Sequence, residues 1–523
     1  MRFFRIRRVA LLLPLVLATF IPRQAFGNGD LHKVEHIIIV MQENHSFDNY
    51  FGALAYAPGS PYHPGFGGCR KDDHNCVDGL SCKVDMAGNL TCFNSNLDDN
   101  GSTVFAFHDS RRCALTDLDH SWLGTHQQAN FLNPNGTLTD TLSDGFVRVN
   151  DATEQLDHGV ENPTDDQTMG FYNQDEIPFY YNLAANFAVN DRYFSSMLGP
   201  TFTNRSFFMA ATSFGHLTSN DEFPPPGGYK PITGTIFDLL DEAKITWADY
   251  FQDAPQGASF RLFGRTGVDP HFLPVQVFLA QAAGVPGVGS LPQVAFVDPN
   301  FGLFGTKLEN DEHPPTDIQR GQAFVSQVVN AVRSGPFWQD SVIFITYDEH
   351  GGYYDHVPPP EARQENARTP DGISPGQCAD LSNLLVSLQP GGGAECGQNP
   401  FSITDTSVKD AELLCPAMAA NPTGPYPEEC ASFDQLGFRV PFIAVSPFSK
   451  PRYVSHTVGD HTSLLAFIEK RFLSLDDENG RLHLTKRDQH ADTLEDMFDF
   501  AGSPSLNTPV GQALPPASDC TPQ

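Results

Sequence analysis

Four nearly unbroken apolar runs punctuate this chain, and each stops abruptly at polar residues. They are "VEHIIIVMQEN" at 34–44, "QVAFVDPN" at 293–300, "DSVIFITYDEHGG" at 340–352 and "GFRVPFIAVSPF" at 437–448. A strand apolar on both faces needs cover on both faces, which is the situation of a parallel sheet and not of a sheet with one wet side. Helical patterns lie between the runs, at 177–189, 235–244, 317–332 and 461–472. The alternation predicts an α/β fold, a parallel sheet covered on both faces. In such a sheet, chemistry gathers beyond the carboxyl ends of the strands. Glu43-Asn44 and Asp348-Glu349 fall at those ends.

Two stretches interrupt the rhythm, about 52–135 and 362–432, both rich in Gly, Pro and Cys. They read as loop insertions that could cap a site. Five of the ten cysteines (Cys69, Cys76, Cys82, Cys92, Cys113) cluster in the first, four (Cys378, Cys396, Cys415, Cys430) in the second, and Cys520 stands near the end. With no CxxC spacing among them, disulfides are favoured over zinc sites, and the spacing leaves the pairing open. Residues 1–27, with a basic start, an apolar stretch and small residues at Ala25 and Gly27, read as a signal peptide ahead of one catalytic domain over 28–523. The Arg7-Arg8 pair leaves the export route undecided. No later run is long and apolar enough to cross a bilayer, and the tail after Phe500 is expected to wrap the surface. An exported, soluble protein is expected, secreted or periplasmic. A net charge of −31, from 63 acidic against 32 basic residues, excludes a basic nucleic-acid groove. It also means that a phosphate-bearing substrate must be drawn in locally, by a metal or by charged histidines.

Three elements could carry chemistry. Glu43, Asn44, Asp348 and Glu349 offer only oxygen donors if the amide presents its carbonyl, a set suited to Ca²⁺, Mg²⁺ or Mn²⁺. Either dipeptide alone reads as a helix or loop cap, but two such pairs at two buried strand ends do not. In "MLGPTFTNRSFF" the Gly199-Pro200 turn places Thr201 ahead of a helical pattern. A hydroxyl there can attack phosphorus beside N–H groups that favour phosphoryl oxygens, although on its own the segment reads as an N-cap. Histidines 120, 126, 313, 350, 356 and 461 sit among acids, Gly or Pro, where they could supply positive charge or a general acid.

"ENHSFDNYFG", "GPTFTNR", "NDEHPP", "TYDEHGGYYDHVPPP", "FRVPFIAVSP" and "DHTSLLAFIEKRF" together resemble the signatures of the phosphoesterase family of bacterial phospholipases C and acid phosphatases, in the alkaline phosphatase superfamily. The blocks run in the family's order from about residue 34 to 500. The resemblance implies an α/β/α sandwich around a mainly parallel sheet. It implies Thr201 as nucleophile, where the acid phosphatases have serine, and a divalent metal held by Glu43, Asn44, Thr201, Asp348 and Glu349. Asn204 would donate to a phosphoryl oxygen and His120 and His313 would line the phosphate pocket, while His126, His350 and His461 receive no firm role. Two positions depart from the pattern: His45 stands where the family has Arg, and Thr203 where it has Pro. With "RDQHADTLEDMFDF" close to the last residue given, the additional C-terminal domains of the larger secreted phospholipases C are not expected.

The expected function is hydrolysis of phosphate esters through a phospho-threonine, with phospholipase C-type cleavage of phospholipids ahead of acid phosphatase action on monoesters. A non-catalytic surface protein that binds phosphorylated ligands is the alternative of another class. Oligomeric state and metal identity are left open by the residues.

Overall fold

The computed structural model describes residues 30–98, 101–113, 116–129, 143–150, 165–213, 219, 234–258, 269–303, 309–362, 435–473 and 482–516. The expected signal peptide and the second insertion lie outside them. The central sheet has eight strands: β1 (His36–Gln42), β2 (Ala188–Asn190), β3 (Trp247–Phe251), β4 (Phe272–Pro274), β5 (Val294–Val297), β6 (Ser341–Tyr347), β7 (Phe442–Val445) and β8 (Tyr453–Ser455). Their order is β4-β3-β5-β1-β6-β7-β2-β8. All neighbours are parallel except β7, which runs against both β6 and β2. The four apolar runs became β1, β5, β6 and β7, the middle of the sheet with β1 and β6 paired from His36↔Ser341 to Gln42↔Tyr347. Parallel neighbours in register bring their carboxyl ends level, so Glu43-Asn44 and Asp348-Glu349 emerge side by side.

Helices cover both faces. One group contains α3 (Pro178–Asn186), α6 (Val275–Ala282) and the long α7 (Ile318–Ser334); the other contains α4 (Thr201–Ala210), α5 (Ile236–Glu242), α8 (His461–Phe472) and α9 (Lys486–His490). Two shorter helices, α1 (Phe47–Phe51) and α2 (Trp122–Ala129), follow β1 and the first insertion. One continuous core joins sheet and helices, from Ile37–Met41 and Val342–Ile345 to Val325, Val329, Leu464 and Phe467. The caps explain where several helices begin: Asp317 accepts from Gln319 N, Thr235 and Asp238 form a capping box on α5, and Asp460 and Ser463 form one on α8.

In the first insertion, short two-stranded ladders are held by disulfides Cys69–Cys76 and Cys82–Cys92, and Cys113 is also disulfide-bonded. The C-terminal tail does run over the surface: Trp338 Nε1 donates to Leu506 O (3.1 Å), Arg333 donates to Thr508 O, and Gly511 N donates to Asn182 Oδ1 (2.5 Å). Among the described residues no helix is long and apolar enough to cross a membrane.

Candidate active site

At the end of β1 the chain turns sharply. Asn44 is buried with φ +64°, a left-handed conformation uncommon for a non-glycine residue. Its N–H donates to Asp348 Oδ1 at 3.2 Å, and Glu349 N donates to the same oxygen at 2.7 Å, which locks the two strand ends together. Gly351 makes this possible. It also has positive φ, and a Cβ there would lie 2.2 Å from Asn44 O.

The structure therefore brings Glu43, Asn44, Asp348 and Glu349 into one buried cluster. It adds a residue that the sequence reading passed over. Arg205, buried on α4, donates from Nη2 to Glu43 Oε1 (2.8 Å) and from Nε to Asp348 Oδ2 (3.2 Å). Burial raises the Asp348 carboxyl to about 7; Arg205 opposes that rise, and the Glu43 and Glu349 charges add to it. Arg205 does not satisfy the whole set. Among the described residues, Asn44 Oδ1 and Nδ2 and Glu349 Oε1 are buried without hydrogen-bond partners. Buried acceptors left without donors beside three carboxylates are what a hard divalent cation would complete, so the residues present fit one.

Thr201 opens α4, after Pro200 at an N-cap that makes no side-chain bond. It faces a cavity of about 420 Å³ that it shares with Glu43, Arg205, His120 and His313. The lining also includes apolar Phe202, Phe301 and Leu303 and acidic Glu309 and Asp311. Thr201 and Arg205 are four apart on α4 and so share one helix face, a spacing that could have singled out the arginine. Asn204 is placed differently. Its amide Nδ2 donates to Gly199 O (2.9 Å) and its Oδ1 accepts from Met197 N (3.1 Å), so its side chain braces the turn before Thr201 and is not among the cavity's lining residues. Thr203, at the family's proline position, donates to Pro200 O (2.7 Å) and fastens the same turn.

The histidines divide into two sets. His120 and His313 line the cavity with ring centroids 6.1 Å apart. Burial alone would lower His120, but Glu349 and Asp117 raise it to about 10; at His313, Asp117 and Glu43 likewise outweigh burial. The others have structural partners. His126 Nδ1 donates to Trp122 O (2.7 Å), His350 pairs with Gln128 Oε1 (2.8 Å) and Glu349, and His461 Nε2 donates to Asp348 O (2.6 Å). Burial lowers all three, His126 and His461 to about 4, which keeps those two neutral; at His350 the Glu349 carboxylate opposes the fall. His45, where the family has Arg, is also neutral, lowered to about 4 by burial and stacked on Tyr353. Its Nδ1 lies 2.7 Å from Asn49 Oδ1 and its Nε2 3.0 Å from Glu312 O; a neutral ring donates to one of the two, and both contacts oppose the fall that burial causes.

Comparison with known proteins shows the family. The model of the phosphoesterase family matches residues 34–473. Non-specific phospholipase C1 of Arabidopsis thaliana is 28% identical over 487 residues, covering 91% of this chain and 73% of that protein. Non-specific phospholipase C6 of the same plant is 29% identical, covering 91% and 74%. Phospholipase C B of Mycobacterium tuberculosis is 27% identical over 548 residues, covering 97% and 87%. With the family's model spanning most of its length and the strand-end carboxylates in place, the chain belongs to the phosphoesterase family, as a phosphoric ester hydrolase.

Proposed function

We propose that this protein is an exported phosphoesterase that cleaves phosphodiesters of the phospholipid type through a covalent phospho-threonine on Thr201. The observation that carries this reading is Thr201 at the exposed start of a buried helix, facing one cavity with Glu43, Arg205, His120 and His313. The N-terminal end of α4, where Phe202 N already donates to Ser219 Oγ (3.0 Å), favours negative phosphoryl oxygens. His120 and His313, raised toward the charged form, face the same space and would neutralise phosphoryl charge. Thr201 Oγ1 would attack phosphorus, forming an O–P bond as the bond to the leaving alkoxide breaks. One imidazolium would give that alkoxide its proton; the neutral imidazole left behind would take a proton from the water that then attacks phosphorus, and the P–O bond to Thr201 would break to restore its hydroxyl. Glu43, Asn44, Asp348 and Glu349 would hold a divalent ion with the Thr201 oxygen; when bound it supplies a Lewis acid that eases loss of the hydroxyl proton to solvent water. Arg205 would orient Glu43 and Asp348. Asn204 would hold the turn that presents the nucleophile, in place of touching phosphate.

The apolar side chains of Phe202, Phe301 and Leu303 in the lining favour a substrate with an apolar part, which supports the phospholipid reading. The two charged histidines suit a phosphomonoester at acid pH as well, so acid phosphatase action is the second reading. The deciding experiment compares kcat/KM for a short-chain phosphatidylcholine and a simple phosphomonoester from acid to neutral pH. The phospholipid reading predicts the diester to be favoured. Preference for the monoester with an acid optimum would replace it with the phosphatase reading, and no turnover of either would leave a phospho-ligand binder. Disulfides in the first insertion support export.

A further inference from the structure

Asp311 and His313 line the cavity, but the residue between them does not. Glu312 turns into the core and is fully buried. Its φ is +75°, a left-handed conformation that residues with a side chain rarely adopt. Four donors from four elements meet its carboxylate. Tyr50 OH of α1 and Tyr347 OH at the end of β6 each donate to Oε2 at 2.5 Å. Tyr180 OH of α3 donates to Oε1 at 2.6 Å, and Gln42 Nε2 at the end of β1 donates to the same oxygen at 3.3 Å. A carboxylate has about four lone-pair sites, and these donors fill them. Burial raises the Glu312 carboxyl to about 7, and the hydrogen bonds from Tyr180, Tyr347, Tyr50 and Gln42 oppose the rise. Gly321 on α7 makes the room, since a Cβ there would lie 2.1 Å from Glu312 Cγ. Glycine weakens a helix interior, so its place here answers to the side chain it admits.

The backbone around Glu312 is tied to the end of β1. Gln42 Nε2 donates to Asn310 O (3.0 Å) and Glu43 N donates to Asp311 O (2.8 Å). His313 N in turn donates to Asp311 Oδ1 (3.0 Å). A strained residue beside a site persists only where its surroundings over-determine it. We propose that Glu312 is a positioning residue: its carboxylate, gripped by Tyr50, Tyr180, Tyr347 and Gln42, holds the left-handed backbone that turns His313 into the cavity to bind phosphoryl oxygens. Glu312 touches no substrate and acts through His313. That role rests on the phosphate-pocket reading of His313 given above.

The test is a double-mutant cycle on full-length, metal-replete protein at about pH 8, where the Glu312 carboxyl is ionised. It is read as kcat/KM for p-nitrophenyl phosphorylcholine and as Kd for inorganic phosphate by calorimetry. Phosphate binding carries the test whichever ester is cleaved. Glu312→Gln keeps the shape but points an amide donor at the tyrosine hydroxyls. It should lower kcat/KM and weaken phosphate binding about ten- to a hundredfold, the scale set by a small misplacement of a binding group. With His313→Gln already present, the same substitution should cost less than about twofold, because the residue it positions is gone. Combined with Thr201→Ser, its effect should remain full. Gly321→Ala crowds the carboxylate without removing any polar group and should reproduce the His313-dependent loss, which keeps the test alive if Glu312→Gln does not fold. Circular dichroism establishes folding of each variant. Full additivity with His313→Gln, or unchanged phosphate affinity in the folded variants, would overturn the role of Glu312 and leave the pocket reading in place. If His313→Gln itself changes neither phosphate binding nor turnover, the pocket reading fails and the role falls with it.

Discussion

Thr201 and Asn44 make opposite kinds of contribution, and substitutions separate them. Thr201→Ala removes the proposed nucleophile and should lower kcat by roughly three or more orders of magnitude, with Thr201→Ser retaining substantial activity. Steady-state kinetics of the two folded variants check this. Near-normal turnover by Thr201→Ala would remove the residue from the chemistry. Asn44 holds a strained φ of +64° and leaves both amide atoms unpaired. Asn44→Gly relieves that strain, so the metal-free protein should keep its stability or gain up to about 1 kcal/mol. The rise in Tm on adding back a divalent ion after chelation should shrink at the same time. An undiminished rise would show that the amide is not part of the metal set. Legibility at this scale followed chemistry. Acids ending apolar runs stand out in a sequence, whereas Arg205, Glu309 and Asp311 looked like neighbours of more conspicuous residues until folding turned them into the cavity.

At the scale of elements, the site depends on two strand ends approaching within van der Waals limits. A Cβ on Gly351 would meet Asn44 O at 2.2 Å and Asn44 Cβ at 2.7 Å, with φ held at +64°. Gly351→Ala should therefore destabilise the protein by more than about 1 kcal/mol, and it should lower metal affinity by displacing Asn44. Chemical denaturation and metal titration of this variant measure both effects, and a silent substitution would contradict the close approach. The legible elements were those inside an unbroken apolar or periodic signal, β1, β5, β6 and β7 as apolar runs and α7 as a periodic pattern, whereas the five-residue β3, interrupted by Asp249, was not. The short strands were not. Ala188–Asn190, Phe272–Pro274 and Tyr453–Ser455 have three residues each, too few for a period to appear, and the first was read as the end of the preceding helix. They exist because longer neighbours, the sheet and its crossovers, place them in pairing range.

The whole molecule carries a buried ionic network outside the cavity lining that should set its pH tolerance. Arg439, fully buried over the Phe47 ring, donates to Asp48 and Asp355, and His356 bridges Asp48 (2.6 Å) and Asp78 (3.3 Å). Burial opposes the charged imidazole, but Asp48 and Asp78 outweigh burial and raise His356 to about 9. A histidine raised above its unfolded value stabilises fully below about pH 6.5, and the contribution fades as pH rises through 9. Stability should thus fall by up to roughly 3 kcal/mol across that interval. His356→Gln should flatten the profile in denaturation at several pH values, and an unchanged slope would contradict it. At this scale the sequence showed the fold class and the family, because both rest on the order of long blocks. The networks between blocks stayed hidden, because Asp48, Asp78, His356 and Arg439 meet only after folding. The central claim concerns the covalent route through Thr201, and the stereochemical course at phosphorus tests it most directly. Two successive in-line displacements, first by Thr201 and then by water, predict retention when an isotopically chiral phosphodiester is hydrolysed by the wild-type enzyme. Inversion would show direct attack by water and would contradict the account.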